Sequence, residues 1–65
     1  MIDTNALKAE IVRNGMTQED VAKKLGMNPK TFYSKMKKGV FWSTEIEAMV
    51  ALLKIDNPEN IFFAH

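Results

Sequence analysis

Six lysines (Lys23, Lys24, Lys30, Lys35, Lys37 and Lys38) fall between residues 21 and 44 with no acid among them, a local charge of +6. The rest of the chain holds three bases and eight acids, a local −5, so the net charge of +1 conceals a strongly segregated sequence. Ammonium groups gathered in this way donate to phosphate oxygens, and the segregation predicts a basic stripe on a nearly neutral molecule. Neutral hydrogen-bonding side chains (Gln18, Asn28, Thr31, Tyr33 and Ser34) are interleaved with the lysines. A solvated lysine face is the plainer reading of the charge alone. The pattern of the same residues argues for a binding surface.

Catalytic chemistry finds no comparable support. Glu19 and Asp20 are adjacent at an expected helix start, where the helix dipole accounts for them. Glu45 and Glu47 face different sides of an expected helix. No serine or lysine has a plausible base beside it, and the single histidine, His65, is terminal. Cysteine is absent, as is a glycine-rich phosphate loop. Neither an enzyme nor a metal or cofactor site is expected.

The elements that must position the lysines are written in their flanking residues. Thr17 is a good N-cap, and Asp20 stands three positions on, where its carboxylate can reach back to the cap amide. Ala22 is small enough for a second helix to cross closely. Gly26 supplies the left-handed residue that reverses the chain. Asn28 caps the next helix, with Pro29 at its first position, where no N–H is needed. This is a helix-turn-helix over about residues 18–37, a motif whose second helix commonly enters a DNA major groove.

With Phe32 as the buried anchor of that second helix, Asn28, Pro29, Lys30, Tyr33 and Ser34 form the groove-facing set expected to contact bases. Lys30 can donate to guanine O6 and N7, and Ser34 can serve several bases. Lys35, Lys37 and Lys38 toward the helix end suit phosphates, together with Thr31. Gln18 is expected to clamp a further phosphate from the start of the first helix.

A first helix is expected from about Thr4 to Arg13, capped by Asp3 or Thr4, with Leu7 and Ile11 buried. Hydrophobic staples pair Ile2 with Leu7, Met16 with Val21, and Met27 with Phe32, all around the expected caps. Thr44 and Glu47 read as a capping box for a fourth helix, with Ile46, Met49, Val50 and Leu53 on one face. Asn57-Pro58-Glu59 restarts a turn or a single helical turn, and only the last few residues could pair as a strand. The expected core is Leu7, Ile11, Met16, Val21, Ala22, Leu25, Met27, Phe32, Met36, Ile46, Met49, Val50 and Leu53. Phe41 and Trp42 are expected to fill the core under their loop rather than stack on single-stranded nucleic acid, with room for one of the two to lie partly open beside the DNA backbone. Phe62 and Phe63 are adjacent and point different ways, so one of them is a dimer-contact candidate within the tail, 57–65.

Sixty-five residues make one domain, 1–65, expected to be all-α with four to five helices. A chain of this length buries only about 60% of its unfolded surface, so help from dimerisation is expected. No apolar run approaches a membrane span and no signal pattern opens the chain, which points to a cytoplasmic protein.

The run Met16-Thr17-Gln18-Glu19-Asp20-Val21-Ala22-Lys23-Lys24-Leu25-Gly26, with Thr31-Phe32-Tyr33-Ser34-Lys35-Met36-Lys37-Lys38-Gly39 downstream, resembles the phage Cro/CI-type repressors of the lambda-repressor-like (Xre) family. The resemblance is closest to small Cro-like proteins of Gram-positive phages and prophages, whose tails often end in a similar Ile-Phe-Phe-Ala, and it covers residues 4–63. It implies a lambda-repressor-like fold and a sequence-specific regulator, usually a homodimer on a two-fold double-stranded DNA operator. It places Gln18, Lys30 and Ser34 at contact positions, with no small-molecule ligand. Pro29 departs from the family, which often has a polar base reader there. Lys35 departs too, standing where an apolar residue is common. Readout is therefore expected to lean on Lys30, Tyr33 and phosphates. The same residues would also suit an adaptor or anti-repressor that keeps the fold, or an excision-type DNA-binding protein.

Overall fold

A computed structural model describes residues 2–63 and contains, among them, five helices and no strand. They are α1 (Thr4–Arg13), α2 (Gln18–Lys24), α3 (Pro29–Lys38), α4 (Ser43–Leu53) and α5 (Pro58–Phe62). The all-α expectation holds. Met1, Ala64 and His65 lie outside the described residues, and with them the reading of His65.

The first three helices begin where local chemistry starts them. Asp3 caps α1, its carboxylate accepting from the Ala6 N–H at 3.0 Å. At α2 the capping box is complete: Thr17 Oγ1 accepts from the Asp20 N–H at 3.1 Å, and Asp20 Oδ2 accepts from the Thr17 N–H at 2.9 Å. Two orphan amides are thereby satisfied at one helix end. The Thr17 N–H, and then its hydroxyl, hold the Asp20 carboxyl below its ordinary value of 3.8. A lowered folded pKa stabilises the native state above the unfolded value, and that stabilisation is lost as pH falls through the folded pKa. Thr17→Ala is expected to cost about 1 kcal/mol at neutral pH. That variant keeps the main donor to Asp20, the backbone N–H. Asp20→Asn, which removes the titrating carboxylate, should flatten the acid limb of the stability curve below about pH 4, as read by urea titrations across pH. An acid limb as steep as the parent's would contradict this role for the box.

Gly26, at φ +70°, lets the Met27 N–H reach back to the Ala22 carbonyl at 2.8 Å and turns the chain from α2 into α3. The two helices meet through Val21, Ala22, Phe32 and Met36, all buried. Leu7 and Ile11 of α1 and Met49 and Leu53 of α4 complete the centre of the core. Met16, Leu25, Met27, Ile46 and Val50, expected inside, are only partly buried and pack around this centre. Phe41 is buried as expected, and Ile55, Ile61 and Phe62, which no helical periodicity marks, join it in the core.

The C-terminal third is anchored to α1 by polar contacts. The Asp3 N–H donates to the Ile61 carbonyl at 2.7 Å, which fixes α5 against the chain start. Asn14 Nδ2 donates to the Leu53 carbonyl at 3.0 Å, and Arg13 Nη2 reaches the same oxygen at 3.1 Å. An otherwise unsatisfied carbonyl at the end of α4 thus gains two donors. The tail forms a helical turn rather than a strand.

Three expectations are corrected in this region. The start of α4 lies ahead of the proposed Thr44–Glu47 box: the helix begins at Ser43, and Glu45 Oε1 accepts from the Trp42 N–H at 2.7 Å. Trp42 is 71% exposed and does not fill the core; Phe41 alone does, its ring centroid 5.4 Å from that of Phe32. Phe62 is buried and is withdrawn as a dimer contact, because α5 turns it inward beside Ile61, while Phe63 is 62% exposed.

Candidate nucleic-acid interface

The side of α3 that faces away from the core is set by its two buried residues. Phe32 and Met36 lie one turn apart on the inward stripe. At about 100° per residue, the opposite face carries Lys30, Ser34 and Lys37, flanked by Thr31 and Lys38. All five are exposed. Tyr33 stands on one flank and is half exposed at 46%. Three lysines and two hydroxyls therefore project from a single ten-residue helix whose position is fixed by packing on α2.

The N-terminus of α3 is less free than its composition suggests. Asn28 Oδ1 accepts from the Lys30 N–H at 2.9 Å, so its acceptor serves the cap and its amide NH2 is what remains for a ligand. Pro29 is partly buried and offers no donor. The other end of α3 is closed by Gly39 at φ +70°, whose N–H and that of Val40 donate to the Lys35 carbonyl at 2.8 and 3.1 Å. Lys37 and Lys38 occupy the last turn, where the helix dipole favours cations.

The basic stripe contracts once its partners are seen. Lys35, expected on phosphates, is instead tied to α4: its Nζ donates to Glu45 Oε2 at 2.7 Å, with both side chains largely buried, at 22% and 17% exposure. Moving it to a phosphate would break that pair. Lys23 faces Glu19 at 3.6 Å across one exposed turn of α2, a contact worth little. Among the described residues, no carboxylate lies within ion-pair distance of Lys24, Lys30, Lys37 or Lys38. Gln18 opens α2 and is partly buried, with Glu19 and Asp20 beside it.

A groove of about 460 Å³ runs beside α3, between Lys30, Ser34 and Lys38 on the helix and Val40 and Trp42 on the following loop. Glu45 was not read as a neighbour of the α3 surface from sequence. Glu45 stands ten positions from Lys35 and just beyond the acid-free segment, so no local pattern signals the pair.

An exposed cationic helix that closes a glycine turn after a capped partner helix is the arrangement a DNA-binding helix-turn-helix requires. Residues 1–39 match the bacterial regulatory protein, Fis family, over α1 to α3 and as far as Gly39. The chain belongs to that family. No curated protein and no solved structure matches the chain. As a member of the Fis family it is a helix-turn-helix transcriptional regulator that binds double-stranded DNA in a sequence-specific manner. Helices α4 and α5 lie outside the matched segment. Among the described residues no helix is long and apolar enough to cross a membrane.

Proposed function

We propose that this protein is a Cro-like, phage-type repressor that acts by occupying operator sites overlapping a promoter. The observation that carries the reading is the outward face of α3, where Lys30, Ser34, Lys37 and Lys38 stand together opposite the buried Phe32 and Met36. Lys30 and Ser34, near the start of the helix, read base edges, with Tyr33, Pro29 and the Asn28 amide as neighbours on the same side of the groove. Lys37, Lys38, Thr31 and Gln18 hold phosphates and set the register. Lys35 contributes through Glu45 to the joint between α3 and α4 rather than to phosphate.

Lys37→Ala is expected to weaken binding to cognate and random duplexes equally. It should also reduce the slope of log K against log salt by about one, because one phosphate contact is removed. A sequence-selective loss would make Lys37 a base reader instead.

The operator is bound by a two-fold homodimer, with half-sites about one helical turn, roughly 34 Å, apart. Supporting the dimer is an apolar hollow of about 510 Å³ bordered by Ile46, Val50, Pro58 and the exposed Phe63. Phe63→Ala should lower dimerisation without unfolding the protomer, since the side chain is outside the core. Sedimentation velocity over a concentration series checks this, and an unchanged monomer–dimer midpoint would remove Phe63 from the interface. The repressor reading itself is tested by footprinting the DNA beside the gene. Two protected segments related by a dyad and centred one turn apart are expected. Uniform protection without boundaries would overturn operator recognition.

A further inference from the structure

Trp42 is a large apolar side chain that the fold holds in water. The residue is 71% exposed while its neighbour Phe41 supplies the core contact to Phe32, so core packing gives no reason for an indole at this position. The residue is nonetheless fixed. Its N–H donates to Glu45 Oε1 at 2.7 Å, and the other oxygen of the same carboxylate holds Lys35 Nζ at 2.7 Å. That ammonium lies 5.4 Å from the centroid of the indole, within cation–π range. One carboxylate thereby sets the backbone that carries the ring, and one ammonium sets the ring.

The fixed indole forms the far wall of the groove beside α3, and the near wall is the proposed base-reading face itself, through Lys30 and Ser34. We infer that this groove seats the sugar–phosphate backbone of one DNA strand bordering the major groove entered by α3, with Trp42 packed on deoxyribose. The inference rests on the DNA-binding reading of α3 and extends it to the loop that follows. Two features identify the occupant. The groove is continuous with the α3 surface, so a duplex docked on that helix must bring a backbone ridge alongside it. Its chemistry also alternates as a backbone does, with Trp42 and Val40 offering apolar surface to sugars and Lys38 and Thr31 offering an ammonium and a hydroxyl to phosphates. The indole N–H is a further donor for a phosphate oxygen.

Trp42 is the only tryptophan in the chain, so its fluorescence reports this wall alone. Titrating the protein with a duplex from the region beside its gene should shift or quench the emission with the same midpoint as the anisotropy of the labelled duplex. Trp42→Ala, whose far-UV spectrum and melting should match the parent because the ring is exposed, is expected to weaken binding about tenfold. The loss should be equal on cognate and random duplexes, and the salt slope should stay unchanged because no charge is removed. Parent-like binding by Trp42→Ala, or anisotropy that saturates while the emission stays fixed, would overturn the seat and leave the α3 reading intact. Absence of any duplex binding by the parent protein would overturn both.

Discussion

Replacing Phe32 with alanine is expected to cost the protein about 3–5 kcal/mol of stability, the largest loss of any single truncation in the core. Phe32 is fully buried and is the largest side chain at the centre of the core. It packs on Phe41 across the loop after α3, and it lies on the face of α3 that meets Val21 and Ala22 of α2. Truncating a buried phenylalanine costs about 3–5 kcal/mol, from lost apolar burial and from the cavity left behind. A 65-residue domain at roughly 0.05–0.15 kcal/mol per residue has about 3–10 kcal/mol to lose. The substitution therefore removes between about a third and all of the native stability, and DNA binding weakens with it because α3 loses its anchor on α2. Thermal or urea unfolding followed by circular dichroism checks this. A melting temperature lowered by less than about 5 °C, equivalent to roughly 1 kcal/mol, would show that α3 is held by something other than Phe32.

Lys30→Ala is expected to have the largest effect on recognition without changing the fold. The side chain is exposed on the second residue of α3, so its removal leaves no cavity. Its backbone N–H still donates to Asn28 Oδ1, and the cap survives. A lysine that donates to guanine O6 and N7 contributes about 1–3 kcal/mol to discrimination, which is about 5- to 150-fold in affinity for the cognate site. Preference at the contacted base pair should relax at the same time. The contrast with Lys37 is the diagnostic part: Lys37→Ala lowers all affinities together, whereas Lys30→Ala should spare random duplexes by comparison. Competition binding with a set of single-base operator variants measures both. Equal losses for both proteins on cognate and random DNA would move Lys30 from base edges to phosphates.

The first three helices were legible because what starts and stops them acts over four residues or fewer. Asp3, Thr17 and Asn28 cap in the structure as their types and positions indicate, and Gly26 and Gly39 take the left-handed conformation that ends their helices. The end of α4 carried no such mark, because its left-handed cap is Lys54, at φ +52°, rather than glycine. Ile55, Ile61 and Phe62 were missed as core residues for a related reason: a five-residue helix and a short loop have no periodicity to read.

At the proposed DNA face, helical geometry carried the outward placement of Lys30, Ser34 and Lys37 once Phe32 was taken as the anchor. Charge sorted by segment overstated the stripe. The acid that neutralises Lys35 comes from the next helix, and a window drawn along the sequence excludes it by a single position. The same carboxylate accepts from the Trp42 N–H and caps α4 ahead of the expected box, so one side chain both contracts the stripe and accompanies the shifted helix start.

The central claim, that α3 reads specific DNA, is tested most directly by titrating labelled intergenic DNA beside the protein's own gene at two salt concentrations, with excess random duplex as competitor. A specific regulator should bind tightly and resist the competitor at both concentrations, with affinity falling as salt rises in proportion to the number of phosphates engaged. Weak binding that is equal on random DNA and erased by modest salt would contradict the claim. It would leave the exposed lysines of α3 as a general polyanion surface.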